Sequence, residues 1–178
     1  WGLTTAYLDD QDVLIEELNP DNPEEYRTPD GWATFTSRQS IITVKDAAPV
    51  TLTLRWSRNG PILPGTHYGL ATITPPGHVA AVSWSALSAA DTSMTAAMRL
   101  MQSRDVPAAL EAGRLVVAPA QNLMLADLNG IALQLVGQMP ARDPAHPSQG
   151  QLPVLGADPA AGFRGIDTAN QRKHYHEA

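Results

Sequence analysis

The sequence contains no cysteine, which excludes a disulfide framework, a thiolate metal site and a cysteine nucleophile, and leaves the redox compartment open. Basic residues are also few. Twelve Lys and Arg stand against 18 Asp and Glu, a formal net charge of -6, whereas a phosphate-binding surface needs clustered cations to displace counterions. Nucleic acid is therefore not expected as a partner. No apolar run approaches the roughly 20 residues that cross a bilayer, so no membrane span is expected. No charged, apolar leader precedes Trp1, and there is no repeat, low-complexity tract or Gly-x-Ser-x-Gly nucleophile elbow.

What is present is a turn-rich globular chain of 178 residues with 15 prolines, 13 glycines and 43% hydrophobic residues. It opens without Met on an apolar strand, Trp1 to Tyr7, which feeds the acidic knot Asp9-Asp10-Gln11-Asp12. The abrupt start is read as the loss of something N-terminal. Val13 to Leu18, Ser40 to Val44, Val50 to Trp56 and Ala80 to Trp84 read as strands from their β-branched content and alternation. Asn19-Pro20-Asp21-Asn22-Pro23, Pro29-Asp30-Gly31 and Asn59-Gly60-Pro61 read as turns.

The pattern then changes to helices. Asp91 is placed to cap one whose buried face carries Met94, Met98 and Met101, and Asp105 with Pro107 starts another that ends near Gly113. Leu115 to Ala118 begins a further β region. Leu123 to Leu128 and Ile131 to Val136 are joined through Asn129-Gly130, the strongest short-range hairpin signal in the chain. The four tryptophans, Trp1, Trp32, Trp56 and Trp84, read first as core. The five histidines read as loop or surface residues, and Glu16-Glu17 as strand neighbours on opposite faces that cannot share a substrate.

Three carboxylates within four residues repel one another unless they are solvated or bridged by a cation, and hard oxygen ligands suit Ca²⁺. The knot is not an EF-hand, and on pattern alone a solvated acidic turn or helix cap is the simpler reading.

Eight segments in order, Trp1-Gly2-Leu3-Thr4, Asp9 to Asp12, Asn19 to Pro23, Asn59-Gly60-Pro61, Trp84-Ser85-Ala86-Leu87, Ala118 to Asn122, Ala126 to Gly130 and Leu152 to Gly156, resemble the penicillin acylase family. The resemblance runs from residue 1 to about 165, with residues 166 to 178 a tail of uncertain continuity. It implies an α+β piece of an N-terminal nucleophile hydrolase of αββα type, with a β-rich excursion at 13 to 65 and mixed strands and helices at 66 to 156. It also implies an interior fragment of the catalytic chain, inactive alone, with its Ser nucleophile outside these residues and the rest of a self-cleaving precursor as partner. Family analogy places the protein in the periplasm.

Carried over residue by residue, the resemblance implies a backbone oxyanion donor at Thr5 and a side-chain donor at Asn170. It implies acyl-group contacts at Leu3, Trp84 and Gln121, and a partial Ca²⁺ shell from Asp9, Asp12 and the carbonyls of Gln11 and Gly150. Leu3 and Trp84 suit an apolar acyl group. Gln121 is more polar than the aliphatic residue of the penicillin G type, so penicillin, cephalosporin and acyl-homoserine lactone amides all stay open as substrates, and with them an antibiotic or quorum-quenching role. A second reading, from another class, is a noncatalytic Ca²⁺-stabilised binding module.

Overall fold

The computed structural model describes residues 1–167 and 173–177. In chain order the strands are β1 Gly2–Thr5, β2 Gln11–Asn19, β3 Asn22–Thr28, β4 Gly31–Thr34, β5 Thr36–Ile42, β6 Val50–Ser57, β7 Gly60–Leu63 and β8 His78–Trp84. The helices α1 Ser93–Gln102 and α2 Val106–Gly113 follow, then β9 Gln121–Ala126, β10 Gly130–Val136, β11 Met139–Arg142, β12 Val154–Leu155, β13 Phe163–Asp167 and β14 Lys173–Glu177. The class is α+β, with strands in large excess. β11 and β13 form a separate two-stranded sheet.

Two compact units result. The first comprises residues 1–10, 84–141 and 164–178, and the second residues 11–83 and 142–163.

In the first unit a four-stranded sheet runs in the order β1-β9-β10-β14. Its β9–β10 hairpin alternates buried and exposed residues, so Leu123, Leu125, Ala132 and Val136 face α1 and α2 and form one core with Leu100, Val106, Ala109 and Leu110. That is a helix layer on a sheet layer. The α2 start is as expected from Asp105 and Pro107: the Asp105 side chain accepts the Ala108 N–H at 2.8 Å. The β9–β10 hairpin is also where the sequence put it. Asp127 Oδ1 accepts the N–H groups of Asn129 (2.7 Å) and Gly130 (3.0 Å), and Gly130 is not among the glycines with positive φ. A carboxylate, not an Asn-Gly left-handed pair, shapes the bend.

In the second unit seven strands follow one another in the order β4-β3-β2-β8-β7-β6-β5, and β12 adds parallel to β2. β2 is buried on both faces: Leu14 packs with Ala81 and Val154, and Ile15 with Leu70 and Ala80. The turn expected at Asn19 to Pro23 lies between β2 and β3, and β3 takes up its last two residues. The turn is confined by the Asn19 side chain, which accepts the Asp21 N–H, and Pro23 sits beside a register shift, where a missing ladder donor is tolerated. At the β6–β7 turn, Gly60 has φ +139°, and an added Cβ would lie 2.0 Å from the Val82 carbonyl oxygen. Only glycine fits there.

Several further expectations are corrected. Leu115 to Ala118 is not a strand; β9 begins at Gln121. On α1 the buried residues are Ala96 and Leu100, while Met94, Met98 and Met101 are 77%, 51% and 63% exposed. Trp1 and Trp32 are exposed, and Trp56 and Trp84 only half-buried, so no tryptophan is core. His146 is buried rather than superficial.

Candidate active site

Leu3, Thr5, Trp84 and Gln121, singled out for acyl chemistry, all fall in the first unit. β1 pairs antiparallel with β9 in the register Leu3↔Leu123, Thr4↔Asn122 and Thr5↔Gln121. The Ala6 N–H donates to the Ala120 carbonyl at 3.2 Å, which identifies Ala6 and Ala120 as a hydrogen-bonded pair. Pairs alternate along an antiparallel ladder, so Thr4↔Asn122 is hydrogen-bonded, and Thr5↔Gln121 and Leu3↔Leu123 are not. The N–H groups of Thr5 and Leu3 therefore point away from β9. β1 is the last strand on that side of the described sheet, so the Thr5 N–H lies along an open edge.

Leu3, Thr5 and Gln121 share one face, because residues directly opposite one another project the same way and the pleat repeats every two residues. Trp84 is held by Asp10: its Nε1–H donates to Asp10 Oδ2 at 3.2 Å, and the Ser85 N–H donates to the Asp10 carbonyl at 3.2 Å. Asp10, left unassigned by sequence reasoning, thus fixes the indole that the resemblance selected. Asn122 was also missed. Its Nδ2 donates to Thr4 Oγ1 (3.3 Å) and to the Thr5 carbonyl (3.2 Å), holding the peptide that follows Thr5. The available signal was a polar pair, Gln121-Asn122, opening an otherwise apolar strand. Asn170 lies outside the described residues.

A cleft of about 160 Å³ lies at the Trp1 end of the same sheet, opposite Thr5 along β1, and is lined in part by Trp1, Arg104, Asp105, Val106, Leu125 and Asp127. Its acids serve the fold. Asp127 Oδ2 accepts the Val106 N–H at 2.8 Å, and this bond, with those from Asn129 and Gly130, holds the Asp127 carboxyl below its ordinary pKa.

The expected calcium ligands belong to both units. Asp9 falls in the first unit, and Gln11, Asp12 and Gly150 in the second. Asp12 is buried, and Arg142 grips both of its oxygens: Nη2 lies 2.7 Å from Oδ1 and Nε 3.0 Å from Oδ2. His146 sits behind the pair, with Nε2 3.8 Å from Asp12 Oδ2. His146 Nδ1 accepts the N–H groups of Ser148 (3.3 Å) and Gln149 (3.0 Å), which sets the ring tautomer with its hydrogen on Nε2. Among the described residues no group of three or more His, Asp or Glu is gathered around a common point. These residues do not by themselves fit Ca²⁺, which takes six to eight oxygen ligands.

A second buried acid, Glu16, is held by neutral donors. Its Oε1 accepts from Ser57 Oγ (2.6 Å) and Asn59 Nδ2 (2.9 Å), and Asn59 Nδ2 also reaches the Gly156 carbonyl (3.3 Å). Glu17, next to it, is exposed, as opposite faces of a strand require.

The chain is similar to known proteins over most of its length. The penicillin amidase family model matches residues 1–175. Acyl-homoserine lactone acylase QuiP of Pseudomonas syringae pv. tomato is 28% identical over 160 residues, covering 89% of this chain and 18% of that protein. Penicillin G acylase of Escherichia coli is 35% identical over 63 residues, 35% of this chain and 7% of that one. The solved structure of thermostable penicillin G acylase from Alcaligenes faecalis superposes with a TM-score of 0.82 at 21% identity, covering 99% of this chain and 30% of that one. The chain therefore spans less than a third of the length of these relatives. With a family model matched over nearly its whole length, this chain belongs to the penicillin amidase family.

Proposed function

We propose that the protein to which these residues belong hydrolyses acyl amides by acyl transfer to an N-terminal Ser lying outside them, and that residues 1–178 alone do not turn over. The family is one of amidohydrolases, and relatives named for acyl-homoserine lactone and penicillin G point to an acyl amide as the scissile group. The observation that carries the reading is the Thr5 N–H on the open edge of β1. A donor held by a strand and aimed away from its ladder is pre-organised for a developing oxyanion, where one such donor typically contributes about 3 kcal/mol. The Ser would be activated by its own α-amino group, whose ordinary pKa of about 7.7 to 8.0 lets it accept the hydroxyl proton near neutral pH. Asn170 would supply the second donor. Leu3, Trp84 and Gln121 would face the acyl chain, with Asp10 positioning the Trp84 indole. An apolar chain of medium or greater length suits Leu3 and Trp84, and the Gln121 amide suits a polar substituent along it.

Calcium belongs to this proposal only with help from elsewhere in the protein. Asp9, Asp12 and the Gln11 and Gly150 carbonyls would contribute part of a shell, completed by carboxylates outside these residues, and its role would be structural. Export to the periplasm is a further part of the reading, and a fractionated cell extract probed for the mature chains tests it.

The experiment is expression of the full-length precursor. It is expected to mature into two chains and to release amine from a panel containing an N-acyl-homoserine lactone, penicillin G and a cephalosporin. A precursor that neither cleaves itself nor releases amine from any of them defeats the proposal. Calorimetric titration of Ca²⁺ should show binding to the mature protein and none to the 178-residue chain. Tight binding to the chain alone would instead favour a noncatalytic calcium-stabilised module.

A further inference from the structure

The β5–β6 ribbon of the second unit is paired from Thr36↔Trp56 to Ile42↔Val50, yet β6 meets β7 only at Trp56 and Ser57. Among the described residues the ribbon beyond Trp56 therefore stands as two strands with no third. An isolated two-stranded ribbon is marginally stable in water and persists when one face is packed. Its two faces differ sharply in chemistry. Ile42, Val50, Leu52, Leu54 and Trp56 project on one side, with Arg38 stacked over the Trp56 ring at 5.8 Å. Gln39, Thr51 and Thr53 project on the other, where Ile41 is the apolar exception. On the apolar side Ile42, Val50 and Leu52 are 46%, 47% and 42% exposed. An aliphatic stripe left this open on a ribbon without backing marks a docking surface.

We propose that this face packs against an apolar segment of the same protein outside residues 1–178, one that brings a carboxylate to Arg38. The occupant follows from length: the chain covers 18% of its QuiP-type relative and 30% of the solved acylase chain, so most of the polypeptide in such proteins lies beyond the matched region. The stripe carries one cation, Arg38, and no acid, so the covering segment supplies apolar side chains and a negative charge. The inference rests on the reading of this chain as part of a longer amidohydrolase, but it does not need that protein to be active.

The test places a photo-crosslinking benzophenone side chain at position 52 of the full-length protein and measures amide hydrogen exchange across residues 36–57. A crosslink within one molecule to a peptide outside residues 1–178 is expected. Leu52→Lys should speed exchange of the ribbon amides by about tenfold or more, and Thr53→Lys, on the polar face, by less than about twofold. A crosslink between two copies assigns the face to self-association and overturns the proposal. So does a ribbon that exchanges freely in the unsubstituted protein and gives no crosslink. An internal crosslink in a protein inert toward every acyl amide upholds the docking surface and removes the amidohydrolase reading instead.

Discussion

β1 precedes the acidic knot and β2 takes in its second half, and the two are opposite kinds of strand. β1 has four residues, mostly exposed, and an open edge along which the Thr5 N–H points. β2 has nine, lies inside its sheet and buries Asp12 and Glu16 completely enough that each needs dedicated partners. In the proposed function the chemistry falls to the strand with little around it, whereas the strand with most around it lies in the core. The knot is divided accordingly: Asp10 holds the Trp84 indole, and Asp12 holds Arg142. Neighbouring carboxylates tolerate one another because each is turned to its own donor.

The sharpest way to break this contrast is Thr5→Pro in the mature full-length protein. Proline removes an N–H that the β1–β9 ladder does not use, so the melting temperature should hold while kcat falls about 10²- to 10³-fold. Thr4→Pro removes a ladder donor and should reverse the pattern, losing stability first. Unchanged turnover in Thr5→Pro would strip β1 of its role.

On the β2 side, Arg142→Met leaves the Asp12 charge buried and uncompensated. The pair's side chains are only 6% and 3% exposed, so denaturant unfolding should show a loss of about 3 to 5 kcal/mol. The double variant Asp12→Asn with Arg142→Met should recover much of it, since removing both charges removes the desolvation penalty with them. Gly60→Ala drives a methyl into the Val82 carbonyl at a positive φ and should cost about 3 kcal/mol by the same measurement.

The smallest effect concerns Asp127. Its folded pKa lies below the unfolded value near 3.8, so its contribution is fully present above that pH and is lost as pH falls through the folded pKa. Acid unfolding followed by circular dichroism should therefore steepen below pH 4 in the parent, and Asp127→Asn should lessen that component. An identical acid profile would show that the three N–H bonds do not depend on the charge.

The parts of the fold that were readable from the sequence are those decided within a few residues. Asp105 and Pro107 opened α2 as expected, and two alternating runs made the β9–β10 hairpin. The bend between them was not readable in detail, because Asp127, two residues before Asn129-Gly130, offers both N–H groups a charged acceptor. The methionines of α1 failed for a different reason. Amphipathicity says that one face is buried but not which, and here Ala96 and Leu100 took the sheet-facing side. His146 was unreadable because its burial depends on Asp12, 134 positions earlier, and on a loop that folds back over its own ring. At the candidate site the resemblance selected Leu3, Thr5, Trp84 and Gln121. Asp10 and Asn122, which position them, carry no motif because their work is to orient neighbours.

Asp127 has one more consequence. A single carboxylate closes the first turn of α2 through Val106 and the β9–β10 bend through Asn129 and Gly130. The helix, the hairpin and most of their shared core are contained between Val106 and Val136. A stretch that satisfies its own ends and buries its own side chains over so short a span closes few long loops as it forms, so it is the natural place for folding of this unit to begin. On that account the strand β1 arrives late, adding its open edge to a platform already built.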